Sequence, residues 1–220
     1  AVFCAAFFKK YQALVMIGLY ITGIVLGIIV ALILKNTVFR GKPVPFVMEL
    51  PNYRLPSAKS VGLLLWDKAK DFIQRAFTVI FFATIIIWFL ETFDAKLNVV
   101  KDSSDSLLAL IGQAISPIFK PLGFADWRVT TSLISGFTAK EAVVSTMAVL
   151  MNTSTANLGT ALSGAFSTLS ALSFLVFTLL YTPCVAAVAT IKRELDSRIQ
   201  TVGVVIMQCM VAWLCGCAVY

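Results

Sequence analysis

The sequence predicts an all-α, polytopic transmembrane helical bundle that contains broken or re-entrant gate helices. Hydrophobic residues make up 59% of the 220 residues and charged residues 13%, against about 45–50% and about 25% in soluble domains. Several apolar runs approach the length of roughly 20 residues that a helix needs to cross a bilayer. Two of them are interrupted, one at Gly136 and one at Pro183. This composition excludes a nucleic-acid-binding module, a disulfide scaffold and a disordered tail.

The first predicted unit, residues 1–34, holds the first transmembrane helix. Residues 11–34 carry no charge and are long enough to cross a membrane with some tilt. Gly18, Gly23 and Gly27 offer this helix small positions for close packing. No initiator methionine and no signal-peptide pattern precede it, so we expect the chain to begin within a longer polypeptide.

Residues 35–75 form the second predicted unit, a cytoplasmic linker followed by an amphipathic helix. They contain eight basic and three acidic residues, and by the positive-inside rule this excess is typical of a cytoplasmic segment. Four prolines within residues 41–57 indicate an irregular linker. From Ser57 onward, helical spacing of apolar residues predicts a helix along the membrane surface, followed by a separate crossing over residues 76–90.

Residues 76–220 form the third predicted unit, a gate-type transmembrane domain. Its acidic segment, residues 91–106, is expected on the outer side. Residues 107–119 are too short for a normal crossing and contain Gly112 and Pro117, which predicts a half-helix or a re-entrant element. Residues 129–150 have membrane length, yet they include a Lys-Glu pair and seven Ser or Thr residues. The two segments together form either two crossings or one re-entrant hairpin, and the sequence does not choose.

The rest of the predicted domain alternates between the two sides of the membrane. Residues 151–169 are uncharged and rich in small polar residues, which favours an outer loop. Residues 170–191 cross again with an interruption at Pro183, and the basic residues Lys192, Arg193 and Arg198 mark a second cytoplasmic turn. Residues 199–220 form the last predicted span.

Lys140 and Glu141 are the first candidates for function. An ionisable residue inside a span costs roughly 2.5–3.5 kcal/mol on insertion scales, so such residues commonly serve a function. Neighbours on a helix do not face each other, so we expect each to contact a different partner. Ser135 and Gly136 supply flexibility for a break, and a second half-helix is predicted from near Thr138.

Pro183 defines the second candidate region. Proline lacks the N–H that would bond the carbonyl four residues earlier, here that of Leu179, so Thr182, Cys184 and a free carbonyl are expected to cluster at membrane depth. Sulfur with oxygen ligands suits a borderline transition metal such as Fe(II), without choosing among them. The sequence has no histidine and no C-x-x-C spacing, which argues against a structural zinc site. The remaining cysteines near the C-terminus and two methionines are expected to serve packing, namely Cys209, Cys215, Cys217, Met147 and Met151.

Three motifs resemble the C-terminal membrane half of the ferrous iron transport protein B family. They are FVMELPNYRLPS at residues 46–57, SGFTAKEAVVSTMAVL at residues 135–150 and YTPCVAAVATIKRE at residues 181–194. AAFFKKYQAL near the start is similar to the segment that follows the first gate of that family. The resemblance implies that Cys184 matches a gate cysteine proposed to contact Fe(II) and that Glu141 matches an acidic gate residue. We therefore take Cys184 and Glu141 as candidate metal ligands, and as candidate path residues Thr138, Lys140, Glu141, Thr182 and Pro183.

The resemblance also implies a setting for this chain. Fe(II) is the expected cargo, the bacterial inner membrane the expected location, and GTP with Mg is expected only in an N-terminal domain outside this sequence, which has no phosphate-binding loop motif. Expected partners are the lipid bilayer, the GTPase and first-gate regions of the same polypeptide, a small cytoplasmic accessory protein and a second copy, but not nucleic acid. The alternatives are a gate-type carrier of a nucleoside or organic anion, an intramembrane enzyme with a Cys184 nucleophile, and a scaffold that anchors a GTPase. The absence of histidine disfavours the enzyme.

Overall fold

The computed structural model describes residues 2–37, 57–100, 102–154, 157–181 and 184–220. Within these ranges the regular structure is helical, apart from an isolated bridge between Phe93 and Val99, which confirms the predicted all-α class. The helices are α1 Val2–Phe7, α2 Gln12–Thr37, α3 Ala58–Thr92, α4 Leu107–Ile115, α5 Trp127–Ser135, α6 Ala142–Leu150, α7 Leu158–Ala165, α8 Thr168–Leu180, α9 Val185–Leu195 and α10 Arg198–Val219.

Three described helices, α2, α3 and α10, are long and apolar enough to cross a membrane, and two bent pairs could raise that number to five. With 26 residues, α2 is about 39 Å long, which exceeds the bilayer core of about 30 Å and allows some tilt. The predicted first and last spans are thus present as helices. Of the three glycines in α2, Gly23 faces a neighbour, Leu179 of α8, whereas Gly18 and Gly27 face open space in the described structure.

The long helix α3 corrects the prediction of a surface helix followed by a separate crossing. The predicted start is right, because the Ser57 hydroxyl accepts a hydrogen bond from the Ser60 N–H at 3.3 Å. The helix then runs for 35 residues without interruption. No Gly or Pro follows Gly62 within it, so nothing breaks its backbone hydrogen bonding. The proposed boundary after residue 75 lies inside this helix, while residues 41–56 of the predicted linker lie outside the described residues.

Two short helices were not predicted. Residues 151–169 contain α7 rather than only a loop, and Leu158 and Leu162 of α7 are fully buried. The other is α1, which packs against α7. Its Phe3 ring stacks on Phe174 of α8 with 4.7 Å between ring centroids. Both helices are held by buried apolar side chains, and both are too short to show a clear helical period in the sequence.

Residues 107–135 form a hairpin that returns to its starting end. The Leu107 N–H donates to the Phe93 carbonyl at 2.9 Å, so α4 begins beside the C-terminal end of α3. A 3-10 helix, Ser116–Leu122, extends α4, and the path then bends by 106° into α5. At the far end of α5, the Ser135 hydroxyl donates to the Glu91 carboxylate at 3.1 Å. Both ends of the hairpin therefore meet the same end of α3, as either two crossings or one re-entrant hairpin requires.

The core is a continuous group of aromatic rings around α8. Phe177 packs edge-to-face on Phe119 at 5.2 Å and stacks on Tyr181 at 5.4 Å between centroids. Together with the Phe3–Phe174 pair, these rings connect α1 to the end of α8, where the second interruption lies. Met147 is fully buried in the same core, as expected of a packing residue.

Candidate functional site

The first interruption comprises residues 136–141, between α5 and α6. Gly136 donates its N–H to the Ser132 carbonyl at 2.9 Å, and the Thr138 hydroxyl donates to the Ser135 carbonyl at 2.7 Å. Thr138 therefore caps the end of α5. The predicted break is present, but α6 begins at Ala142 rather than near Thr138. Thr138 closes α5, and a separate turn follows in which the Ala142 N–H donates to the Ala139 carbonyl at 2.9 Å.

Gly136 is needed for space rather than for flexibility, which corrects our reading of the sequence. Its φ of −62° and ψ of −15° are open to any residue. A Cβ at this position would, however, collide with Cγ2 of Val143 and lie 2.7 Å from the Tyr181 hydroxyl. The absent side chain thus allows the first interruption to approach the end of α8 closely.

The second interruption separates α8 from α9. α8 ends at Leu180, and Cys184 stands at the N-cap of α9. The Cys184 carbonyl accepts from the N–H groups of Ala187 and Val188 at 2.9 and 3.1 Å, and its side chain is half-buried. The predicted interruption is therefore present, while the candidate residues Thr182 and Pro183 lie outside the described residues.

The two interruptions are joined to each other. The Val185 N–H at the start of α9 donates to the Phe137 carbonyl in the first interruption at 2.9 Å. From the same turn, the half-buried Lys140 donates to the Thr178 carbonyl at 3.4 Å, and its ammonium lies 5.0 Å from the centre of the Tyr181 ring. The Tyr181 hydroxyl in turn donates to the Leu133 carbonyl at 3.5 Å. Two breaks that are distant in sequence therefore form one structural unit.

The candidate metal ligands flank this unit. Lys140 is close enough to the Cys184 thiol for the two groups to interact electrostatically. Glu141 is the N-cap of α6, is exposed and makes no capping hydrogen bond through its side chain. Lys140, by contrast, contacts α8 through the Thr178 carbonyl. Within the described part of the chain, no three Cys, Asp or Glu residues group together as a metal site.

A second polar region was missed in the sequence. A cavity of about 190 Å³ lies where α3, α5 and α6 meet, and its described lining includes Glu91, Ser103, Ser106, Thr131, Ser145 and Thr146. From the sequence, we expected Glu91 only as a charge on the outer side. The available signal was a carboxylate that directly follows an apolar run, together with the Thr and Ser residues of α5 and α6.

Comparisons with known proteins agree with the resemblance stated above. The family model described as "Gate: Nucleoside recognition" matches residues 73–198, and the one described as "Ferrous iron transport protein B C terminus" matches residues 16–68. Both interruptions and the polar cavity therefore lie within residues 73–198, the range that the Gate model matches. No solved structure matches the chain.

Curated relatives support the same assignment. The Fe(2+) transporter FeoB of Staphylococcus aureus (strain COL) is 37% identical over 194 residues, which cover 88% of this chain and 29% of the relative. The Methanocaldococcus jannaschii protein of that name is 35% identical, with 89% of this chain and 30% of the relative covered. A Porphyromonas gingivalis Fe(2+) transport protein A/Fe(2+) transporter FeoB fusion protein is 32% identical, with 98% and 31% covered. The chain therefore spans about a third of the length of these relatives.

Proposed function

The chain belongs to the Gate family and corresponds to the C-terminal membrane region of FeoB proteins, and from that premise we propose that it carries a gate through which Fe(II) crosses the bacterial inner membrane. It is a multi-pass membrane segment, with described helices long and apolar enough to span a bilayer. The observation that carries the proposal is the junction of the two interruptions, in which Val185 bonds to Phe137 and Lys140 bonds to α8.

Interrupted helices suit ion passage because they place polar backbone groups at membrane depth. Such groups are tolerated there only where protein or a water-filled cavity satisfies them. In our proposal, Cys184 and Glu141 offer a soft sulfur and a carboxylate on either side of the junction, a donor pair suited to Fe(II). A pair of weakly organised donors also allows the ion to leave again, which conduction requires. Thr182 and Pro183 complete the proposed path next to Cys184.

Lys140 and Thr138 have distinct roles in this proposal. The Lys140 ammonium rests on the Thr178 carbonyl and the Tyr181 ring, so it holds a positive charge beside Cys184 while no ion is bound. An arriving Fe(II) would repel this charge and favour its displacement from α8. Thr138 acts by closing the end of α5, which positions Lys140. Opening of the gate thereby depends on the cargo itself.

Control of this gate is assigned to regions outside the chain. We propose that GTP and Mg bind in a GTPase domain that precedes this sequence in the full-length protein, together with the first gate. A small cytoplasmic accessory protein is a further proposed partner, because one relative is named as a fusion with an Fe(2+) transport protein A. The domain division at residues 34 and 75 is retained as a proposal about function, although α3 bridges the second boundary.

The nucleoside or organic-anion carrier is not favoured. The words "Nucleoside recognition" describe the Gate model, but the match to the ferrous iron transport model and the FeoB relatives point to a metal ion. The relatives are also named as transporters rather than as enzymes.

The test is anaerobic Fe(II) uptake into vesicles that carry the full-length parent protein, at equal expression. We expect Cys184→Ser and Glu141→Gln to reduce uptake about tenfold, equivalent to about 1.4 kcal/mol in the barrier. Cys215→Ser is the matched control, because Cys215 is a half-buried thiol on α10 to which the proposal gives no role. Normal uptake in both gate variants would overturn the assignment of the ion path.

A further inference from the structure

The polar cavity beside α3 has features that the iron path does not use. Its volume of about 190 Å³ equals that of about six water molecules at about 30 Å³ each, which is room for a cation with part of its hydration shell. Its described lining holds five hydroxyl side chains and one carboxylate, Glu91, and no sulfur. These are hard oxygen donors.

One of these hydroxyls lacks a partner. Thr131 is only 2% exposed, and its Oγ1 has no hydrogen-bond partner among the described residues. An unsatisfied buried hydroxyl is costly, and such groups usually bind a water or an ion. Nearby, Ser135 is equally buried and donates to Glu91 at 3.1 Å. Glu91 is exposed, and this hydrogen bond holds its carboxylate at the edge of the cavity.

Helix ends at the cavity favour positive charge. Glu91 lies in the last turn of α3, and Val149 and Leu150 close α6, so two helix C-terminal ends with partial negative charge meet there. The N-terminal end of α4 also points to this region, but the Ser106 hydroxyl caps it by accepting from the Ala109 N–H at 3.1 Å. That N-terminal N–H group is therefore already satisfied within the protein.

We propose that this cavity binds an alkali-metal cation such as Na⁺. A single carboxylate balances one positive charge, whereas sites for hard divalent cations commonly gather several carboxylates. The absence of thiols from the described lining also makes it a poor match for the Fe(II) cargo. Membrane transporters commonly hold Na⁺ at helix C-terminal ends and at interrupted helices. The cation would then bridge α3 to the hairpin and to α6. A role of the bound cation in driving or gating iron passage rests on the proposed function. Binding of the cation to the cavity does not.

The binding test is thermal unfolding of the detergent-solubilised full-length protein, titrated with NaCl or KCl against choline chloride at constant ionic strength. We expect a saturable rise in Tm with Na⁺ or K⁺, because a ligand that binds the folded state stabilises it. Glu91→Gln should abolish that rise. Cys184→Ser should retain the rise in Tm. The experiment therefore distinguishes failure of the proposed iron path from failure of the proposed cation site.

Thr131→Val separates cation binding from a structural role. The Thr131 hydroxyl lies against Gly112, so the larger methyl should lower the stability in choline chloride slightly. The apparent Kd for the cation should rise about tenfold, an effect that crowding alone does not produce. No specific effect of Na⁺ or K⁺ on the wild type would overturn the proposal. So would an unchanged response in Glu91→Gln, or a Glu91-dependent rise in Tm with Mn²⁺ but not with alkali cations.

Discussion

Replacement of Gly136 by alanine tests the close approach of the two interruptions. The backbone there is helical, with φ of −62°, so alanine alone would gain up to about 1 kcal/mol over glycine. The added methyl, however, would collide with Val143 and lie 2.7 Å from the Tyr181 hydroxyl. Overpacking of this kind costs about 1–3 kcal/mol. We therefore expect a net loss of about 1–2 kcal/mol in the free energy of unfolding.

The assay is denaturant or thermal unfolding of the full-length protein in detergent, with Gly164→Ala as the control. Gly164 lies in α7, and a Cβ there would meet nothing within 4 Å, so the control should be as stable as the wild type or slightly more stable. Fe(II) uptake should fall in Gly136→Ala and stay normal in the control. A Gly136→Ala protein as stable as the control would refute the argument that space is what this glycine provides.

Two further variants test the contacts of the gate and of its core. Lys140→Met removes the ammonium from the Thr178 carbonyl and the Tyr181 ring. Loss of about 1 kcal/mol of interaction should lower the free energy of unfolding by about that amount, and an unchanged value would count against a holding role. Phe3→Ala removes a buried ring, which is 4% exposed, and should lower the free energy of unfolding by about 3–5 kcal/mol. A change below about 1 kcal/mol would show that α1 does not belong to the core.

The sequence was most informative where one chemical signal dominates. Long uncharged runs predicted α2 and α10, and an isolated Lys-Glu pair next to Gly136 drew attention to the first interruption. The hydrogen bond between Phe137 and Val185 could not be predicted in the same way. It connects backbone groups of two residues that are 48 positions apart in the sequence. Backbone hydrogen bonds leave no signature in side-chain patterns.

The errors have physical reasons as well. α3 was divided in two because its polar and apolar halves differ in composition, although composition does not interrupt a helix in the way that proline does. α7 was taken for a loop because Ser, Thr and Gly dominate its surroundings, and only burial of Leu158 and Leu162 stabilises it. The contact of Glu91 with Ser135 was not predicted, because Ser135 lies on a different helix.

The length of α3 gives it the properties of a lever. A helix of 35 residues is about 52 Å long at about 1.5 Å per residue, so it extends well beyond the bilayer core of about 30 Å. A tilt of about 5° about its Ser57 end would displace its other end by about 4–5 Å over that length. Glu91 stands at that other end and holds Ser135 beside the first interruption. A rotation imposed at the Ser57 end would therefore reach the gate as a displacement of one stiff arm, with no relay of side-chain rearrangements along α3.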